Sequence, residues 1–229
     1  MMMSPSPIGD LHIQTCAEGQ NWPSMLEIVD DVSNRSLLRH VDQVLIDDDL
    51  LAVVASRSHR HQLGFVKIIL VTGAQGSCVR LHLWDNDSPI QEDVHSHCAN
   101  FHSRVVVGSF VENAFALLTG NDYTHFRYHF DENLGHSVAN TEGKTNIKLS
   151  RSRKLNTGDI YTKSAKDLHN VTLVSQGTIT VSAWGTRDTE AVVLKTNGAS
   201  AEDCSIQVGM SSTDLRNYLI RIKERMLTI

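Results

Sequence analysis

Residues 94–105, Val-His-Ser-His-Cys-Ala-Asn-Phe-His-Ser-Arg-Val, contain the pattern from which the fold and the site are predicted. His95 and His97 are two residues apart, and on a β-strand such residues point to the same face, so both imidazoles can reach one metal ion. A further ligand must come from a neighbouring strand, and His169 stands at the start of an apolar strand. The sequence therefore predicts that His95, His97 and His169 bind a metal ion and leave positions open for substrate and water.

The histidine pair is not decisive by itself. The chain contains 12 histidines, and His59 and His61 form a second pair with the same spacing. The interpretation therefore depends on the strands and turns around residues 94–105.

Strand patterns extend on both sides of the pair. The segment 65–71 is rich in β-branched residues and ends at the turn signal 73–76, Gly-Ala-Gln-Gly. Many short strands between Gly, Asn and Asp turns predict a sandwich or a barrel. Further strands are predicted at 79–84, 101–107, 110–118, 123–130, 145–150, 159–163, 169–175, 178–184 and 190–195.

Helical patterns lie at both ends of the strand region. The acidic run 47–49 favours a helix start, because carboxylates are stabilised at a helix N-terminus. We expect the chain to divide into a flexible arm at 1–21, a helical segment at 22–61, a β-barrel at 62–195, and an extension at 196–229 with a helix at 211–227.

The pattern resembles the cupin superfamily of small β-barrels. In the first cupin motif an H-x-H pair precedes a hydrophobic strand and a glycine, and here that glycine is Gly108. In the second motif a glycine precedes a histidine, as Gly158 precedes His169 at matching spacing. The resemblance covers about residues 62–190. It implies a mainly β fold, a cupin double-stranded β-helix or jelly-roll barrel, with N-terminal helices and a C-terminal helix.

The sequence also departs from the cupin motifs. His102 stands where a metal-binding glutamate is usual. Cysteine-dioxygenase-like cupins lack that carboxylate and bind a metal, usually Fe(II), with three histidines. Four other positions differ where cupins usually have Gly, Pro, Gly and Asn: Pro89, Ser164, Lys166 and Leu173.

The resemblance to three-histidine cupins implies a function. It suggests a mononuclear non-haem Fe(II) oxygenase or dioxygenase that uses O₂ and acts on a small carboxylate- or amino-acid-like molecule. His102 is then either a fourth ligand or a residue beside the metal and the substrate. We favour the second role, because imidazole reaches differently from a glutamate carboxylate.

Several other residues are predicted to line the pocket. Arg80 and His82 share one face of their strand, and Arg104 shares the parity of His102. A basic side chain such as Arg80 or Arg104 suits a substrate carboxylate. In strand 123–130 either Arg127 and its neighbours His125 and His129, or the alternating aromatic residues, face inward. The predicted substrate-binding residues are Arg80, His82, Arg104, Arg127 and Trp184, and the predicted catalytic residues are His102 and Tyr161.

The sequence leaves two other functions open. One is redox-neutral isomerase, lyase or hydrolase chemistry with Zn(II), Mn(II) or Ni(II), in which His102 or Tyr161 serves as a general base. The other is a non-catalytic cupin that binds a small molecule. The resemblance also suggests a homodimer formed through sheet edges.

Composition excludes some classes of partner. The chain has 26 acidic and 21 basic residues and a formal net charge of -5, which argues against a nucleic-acid footprint. No apolar run is long enough for a membrane span. The four cysteines form no C-x-x-C pair and no secretory signal is visible, so we expect a cytoplasmic protein.

Overall fold

The computed structural model describes most of the chain. The described residues are 28–30, 32–61, 63–85, 92–131, 136–187, 190–200 and 208–228. The predicted arm at 1–21 lies outside them. Among the described residues, no helix is long and apolar enough to cross a membrane.

Three helices whose full extent is described flank the strands: α1 (Asn34–Ile46), α2 (Asp48–Arg57) and α3 (Ser212–Leu227). Each begins after a residue whose side chain accepts a backbone N–H of the first turn. These N-caps are Ser33, Asp47 and Ser211. The helices pack against one another and bury the apolar stripe of α3, which contains Leu215, Leu219 and Ile222.

Eleven strands are described. They are β1 (His59–Arg60), β2 (Val66–Thr72), β3 (Cys78–Trp84), β4 (Val94–His95), β5 (Phe101–Val107), β6 (Ser109–Asp131), β7 (His136–Asn156), β8 (Ile160–Lys163), β9 (Leu168–Thr172), β10 (Thr178–Trp184) and β11 (Ala191–Thr196). A short 3₁₀ turn at Ala74–Gly76 connects β2 to β3. The strand β1 falls inside the segment that was predicted to be helical.

The strands form two antiparallel sheets. A six-stranded sheet has the order β1-β2-β3-β10-β5-β8, and a five-stranded sheet has the order β11-β4-β9-β6-β7. Within them, β3-β10-β5-β8 and β4-β9-β6-β7 are two four-stranded layers whose neighbours are mostly distant in sequence. This order is that of a jelly roll, so the predicted mainly β jelly-roll fold is confirmed.

The six-stranded sheet is covered on both faces. One face, with Leu81, Val181 and Val106, packs against the three helices. The other face, with Phe101 and Trp184, looks toward the five-stranded sheet. The candidate site lies in this interior, between the two sheets.

Two predicted strands are one continuous element. The segments 110–118 and 123–130 both belong to β6, and the pairing with β7 shifts register between Leu118 and Tyr123. The polar residues 119–122, which resemble a turn in the sequence, form an irregularity within the ladder. The first half of β6 pairs with β9 and the second half pairs with β11.

Candidate metal centre

The three predicted metal ligands lie together. His95 ends β4 and is in register with His169 on β9, while His97 follows β4 by two residues. One ligand atom from each histidine lies within 4.8 Å of the others. His95 and His169 are buried, and His97 is partly buried. The three histidines could therefore hold one metal ion at the interior end of β4.

Hydrogen bonds orient these rings toward a common point. His95 Nδ1 lies 3.0 Å from the carbonyl oxygen of Asp93, which fixes Nδ1 as the donor and leaves Nε2 as the free acceptor. His97 Nε2 and His169 Nε2 are 2.8 Å apart. Two nitrogens that bind one ion at about 2.1 Å, at a right angle, lie about 3 Å apart. The donor set thus fits a divalent metal ion.

The histidines are neutral in this environment. Burial lowers the pKa of His95 to about 4, and burial together with neighbouring cationic groups lowers the pKa values of His97 and His169 well below 6.5. A metal ion binds only the unprotonated imidazole. At neutral pH the site therefore presents lone pairs without the need to release protons.

A buried carboxylate lies behind His169. Glu112 Oε1 is 4.0 Å from His169 Nδ1, the ring nitrogen that points away from His97. Burial by itself would raise the pKa of Glu112, but its contacts with Lys163 and Arg153 outweigh burial and lower that pKa. The 4.0 Å separation is longer than a hydrogen bond, so Glu112 acts on His169 as a nearby buried negative charge.

Sequence analysis missed Glu112. The only signal was an acidic residue within an apolar strand pattern, and such a residue is rarely buried unless it has a partner. Its partners come from β7 and β8, so their proximity depends on strand order.

Aromatic residues form one wall of the site. Trp184 stacks on Phe101, with ring centroids 4.2 Å apart, and contacts the edge of His97 at 4.9 Å. Phe101 itself lies 4.9 Å from His97. Trp184 was predicted to line the pocket and does contact a metal ligand, whereas sequence analysis did not identify Phe101 as a site residue.

His102 does not reach the histidines, which corrects the prediction that it is a catalytic residue beside the metal and the substrate and also rules out the fourth-ligand role. Phe101 faces the interior, so His102 points to the opposite face of β5, where its Nδ1 is 2.7 Å from Thr162 Oγ1. Phe101 is four residues from His97 and shares its parity, whereas His102 is five residues from His97 and has the opposite parity.

Arg104 and Arg127 also lie away from the site, which corrects their predicted substrate contacts. Arg104 shares the outward face with His102, and its guanidinium donates to the carbonyl of Val32 in the helical segment. Arg127 is partly exposed and forms ion pairs with Glu142 and Glu190. In the segment 123–128 the buried residues are Thr124, Phe126 and Tyr128. The side chains of His129 and Phe130 lie outside the described ones.

Arg80, His82 and Tyr161 do face the interior. The Arg80 guanidinium lies 3.8 Å from the centre of the Trp184 ring. His82 is buried next to Phe65, 4.8 Å between ring centroids. Tyr161 packs 5.9 Å from Phe101, and burial raises its pKa above the ordinary value. Tyr161 therefore stays protonated at neutral pH and suits hydrogen-bond donation better than general-base catalysis.

No protein-family model and no curated protein sequence matches this chain. Among solved structures, CapF with the inhibitor 3-isopropenyl-tropolone matches with a TM-score of 0.27 and 13% identity, over 56% of this chain and 30% of that chain. Capsular polysaccharide assembling protein CapF from Staphylococcus aureus gives 0.23 and 12%, over 67% of this chain and 34% of that chain. Drosophila melanogaster CENP-C bound to CAL1 gives 0.25 and 10%, over 69% and 98%.

This chain therefore spans about a third of each CapF chain that it matches. At these TM-scores the similarities carry no argument for fold or function. The jelly-roll assignment rests on the strand order of this chain, and the metal centre rests on its three histidines.

Proposed function

We propose that this protein is a mononuclear metal-dependent enzyme, a non-haem Fe(II) oxygenase that acts on a small acidic or amino-acid-like molecule. The observation that carries the proposal is the convergence of three neutral histidine ligand atoms within 4.8 Å of one another in the barrel interior. Three protein ligands leave coordination positions for substrate and O₂.

The chemistry of the donor set supports a divalent metal ion and an anionic substrate. Three neutral imidazoles leave the full charge of a divalent ion in place, because the carboxylate of Glu112 is occupied by Lys163 and Arg153. When bound, such an ion supplies the redox chemistry, while the pocket sets orientation.

The residues of the chain have separate tasks in this proposal. Phe101 and Trp184 cover one side of the histidines with aromatic surface and exclude water from it. Glu112 supplies a negative charge behind His169, and Tyr161 offers a phenolic hydroxyl near the same interior. The basic residues Lys67 on β2 and Arg80 on β3 would position the substrate.

A second function is redox-neutral catalysis with Zn(II), Mn(II) or Ni(II). The contact between buried Glu112 and buried Lys163 favours it, since an acid–base pair lies next to His169. The metal that supports turnover distinguishes the two functions.

The proposal is tested by oxygen uptake. Protein loaded anaerobically with Fe(II) is mixed with small carboxylates, amino acids and thiols, and O₂ consumption is followed with an electrode. We expect substrate-dependent uptake in the parent and in Arg127→Gln, and none in His169→Ala. Turnover of a substrate with Zn(II), Mn(II) or Ni(II), without O₂ uptake under Fe(II), would replace the oxygenase proposal by the redox-neutral one.

A further inference from the structure

Two basic side chains enter the barrel interior from neighbouring strands. Lys67 on β2 has the same parity as Ile69, which packs in the interior cluster, and it is in register with His82 on β3. Arg80 on β3 is buried, with 5% of its surface exposed, and lies between Cys78 and Trp184. Both cations therefore approach the interior from the same two strands.

Neither cation has an acidic partner. Among the described residues, no carboxylate lies within 4.0 Å of Lys67 or Arg80. Arg80 Nε donates to Cys78 Sγ at 3.0 Å, and its guanidinium lies over the Trp184 ring. A thiol and an aromatic face are weak partners for a buried charge.

Other buried or partly buried cations among the described residues have oxygen partners. Lys163 and Arg153 both contact Glu112. Arg57 and Arg104 have no carboxylate partner, but their guanidinium groups donate to backbone carbonyls of Ile69, Leu70 and Val32. In the described part of the chain, partly exposed Lys67 and buried Arg80 have neither a carboxylate nor a carbonyl partner. An unpaired buried charge is costly, so its retention points to a partner that comes from outside the chain.

The electrostatics of the surrounding groups agree with this picture. Burial, followed by Arg80 and the exposed Arg187, lowers the pKa of Lys67 well below its ordinary value, while the thiols of Cys78 and Cys98 act in the opposite sense. Three buried or partly buried histidines adjoin the same cations and have lowered pKa values for the same reasons: His59, His61 and His82. An anion between Lys67 and Arg80 would favour the charged form of Lys67 and compensate Arg80.

We propose that Lys67 and Arg80 form an oxyanion-binding site for the acidic group of the substrate. That the anion belongs to the substrate rests on the function proposed above; the binding of an oxyanion does not. Trp184 sets the distance to the metal centre, since its ring contacts both the Arg80 guanidinium and His97. The ligand class is then a small molecule with a carboxylate at one end and a metal-binding group at the other.

The test is thermal unfolding of the full-length, metal-free protein at constant pH and ionic strength. Sodium chloride is replaced stepwise by sodium acetate or by inorganic phosphate. Because a ligand of the folded state raises the melting temperature by mass action, we expect Tm to rise with oxyanion concentration in the parent. Acetate represents a carboxylate and phosphate represents a phosphoryl group, so the stronger response identifies the source of the oxyanion.

Variants connect the response to the two cations. Lys67→Met and Arg80→Met should require about tenfold or more oxyanion for the same rise in Tm. Lys148→Met, which removes an exposed cation from β7, should behave like the parent. If Arg80→Met does not fold, Arg80→Lys keeps the charge, loses the bidentate fork and should weaken the response less.

The outcomes separate this proposal from the metal centre. An unchanged response in Lys67→Met and in the Arg80 variant, or no response of the parent to either anion, would overturn the oxyanion site. A response that persists in the triple variant His95→Ala, His97→Ala, His169→Ala supports it, whatever metal the parent binds. Metal binding without an oxyanion response would leave the metal centre standing and reject the oxyanion site.

Discussion

The two faces of the central strands β3 and β10 are both buried and differ in their chemistry. Every residue of β3 and β10 is buried. On the face toward the helices, Leu81 and Val181 form a purely apolar layer. On the face toward the other sheet, Arg80, Ser182 and Trp184 form a polar wall beside the histidines. Burial therefore does not distinguish the hydrophobic core from the candidate metal centre in these strands. Polar side chains at buried positions distinguish the two.

The largest expected effect is on the helix-facing layer. Leu81→Ala should lower the free energy of unfolding by about 2–5 kcal/mol, because it removes a fully buried side chain and leaves a cavity. Once folded, the variant should bind metal like the parent. Chemical denaturation measures the first effect and metal titration the second, with Val53→Ala at an exposed position of α2 as the control.

Loss of metal binding by well-folded Leu81→Ala would contradict the separation of the two faces. It would mean that the helix-facing layer also sets the positions of the histidines.

A smaller effect is expected at the site itself. Glu112→Gln should weaken metal affinity by about 10–100-fold, because a buried negative charge beside His169 is lost and Lys163 and Arg153 are left uncompensated near the metal centre. Competition with a chromogenic chelator measures the affinity, and Glu142→Gln, at an exposed carboxylate on β7, is the matched control. Equal affinities for the two variants would show that Glu112 is only a partner for Lys163 and Arg153.

The buried histidines of the interior face should also make the free energy of unfolding decrease at acid pH. The pKa of His59 is lowered from 6.5 to about 3, and that of His95 to about 4, chiefly by burial. Unfolded histidines take up protons below pH 6.5 while these stay neutral in the folded state. Stability is therefore fully present above about pH 6.5 and is lost as the pH falls toward 4, by about 1.4 kcal/mol per pH unit for each such histidine.

His59→Leu checks this titration. Denaturation curves from pH 7 to pH 4 should have a shallower dependence on pH than the parent curves, whereas Leu81→Ala should lower stability at all pH values without a change in slope. Identical slopes for His59→Leu and the parent would contradict the neutral, buried state of His59.

The smallest effect is expected at Arg127, which was predicted from the sequence to bind substrate. Arg127→Gln should leave Tm, metal affinity and turnover unchanged, because its ion pairs with Glu142 and Glu190 are exposed. A selective rise in KM would indicate that Arg127 contacts the substrate, and it would contradict the assignment of substrate binding to interior residues.

Much of the fold and the metal ligands could be predicted from the sequence. His95 and His97 are two apart at the end of one strand, and period-two alternation is enough to place both on one face. The glycine and strand rhythm around His169 pointed to the second half of the barrel. These signals are local in sequence. They remain valid in the folded chain because the backbone geometry of a β-strand sets the alternation of its side chains.

The remaining site residues depend on longer-range geometry. The prediction for His102 was wrong because it followed the position of the glutamate in the cupin motif, whereas strand parity from His97 and Phe101 places His102 on the opposite face. Arg104 has the parity of His102 and lies on the same outer face. Glu112 and Lys67 could not be identified as site residues from the sequence. The role of Glu112 depends on which strands lie next to it, and the role of Lys67 depends on the absence of a carboxylate near it among the described residues.

The most direct test of the account is the metal content of the protein. Protein purified without chelator or nickel affinity resin is analysed by mass spectrometry, beside the triple variant His95→Ala, His97→Ala, His169→Ala and the control His59→Ala, His61→Ala. We expect near-stoichiometric iron in the parent and in the control, and none in a triple variant whose thermal unfolding remains cooperative. A parent that binds no metal even when Fe(II) is supplied anaerobically, or a triple variant that retains it, would contradict the three-histidine centre.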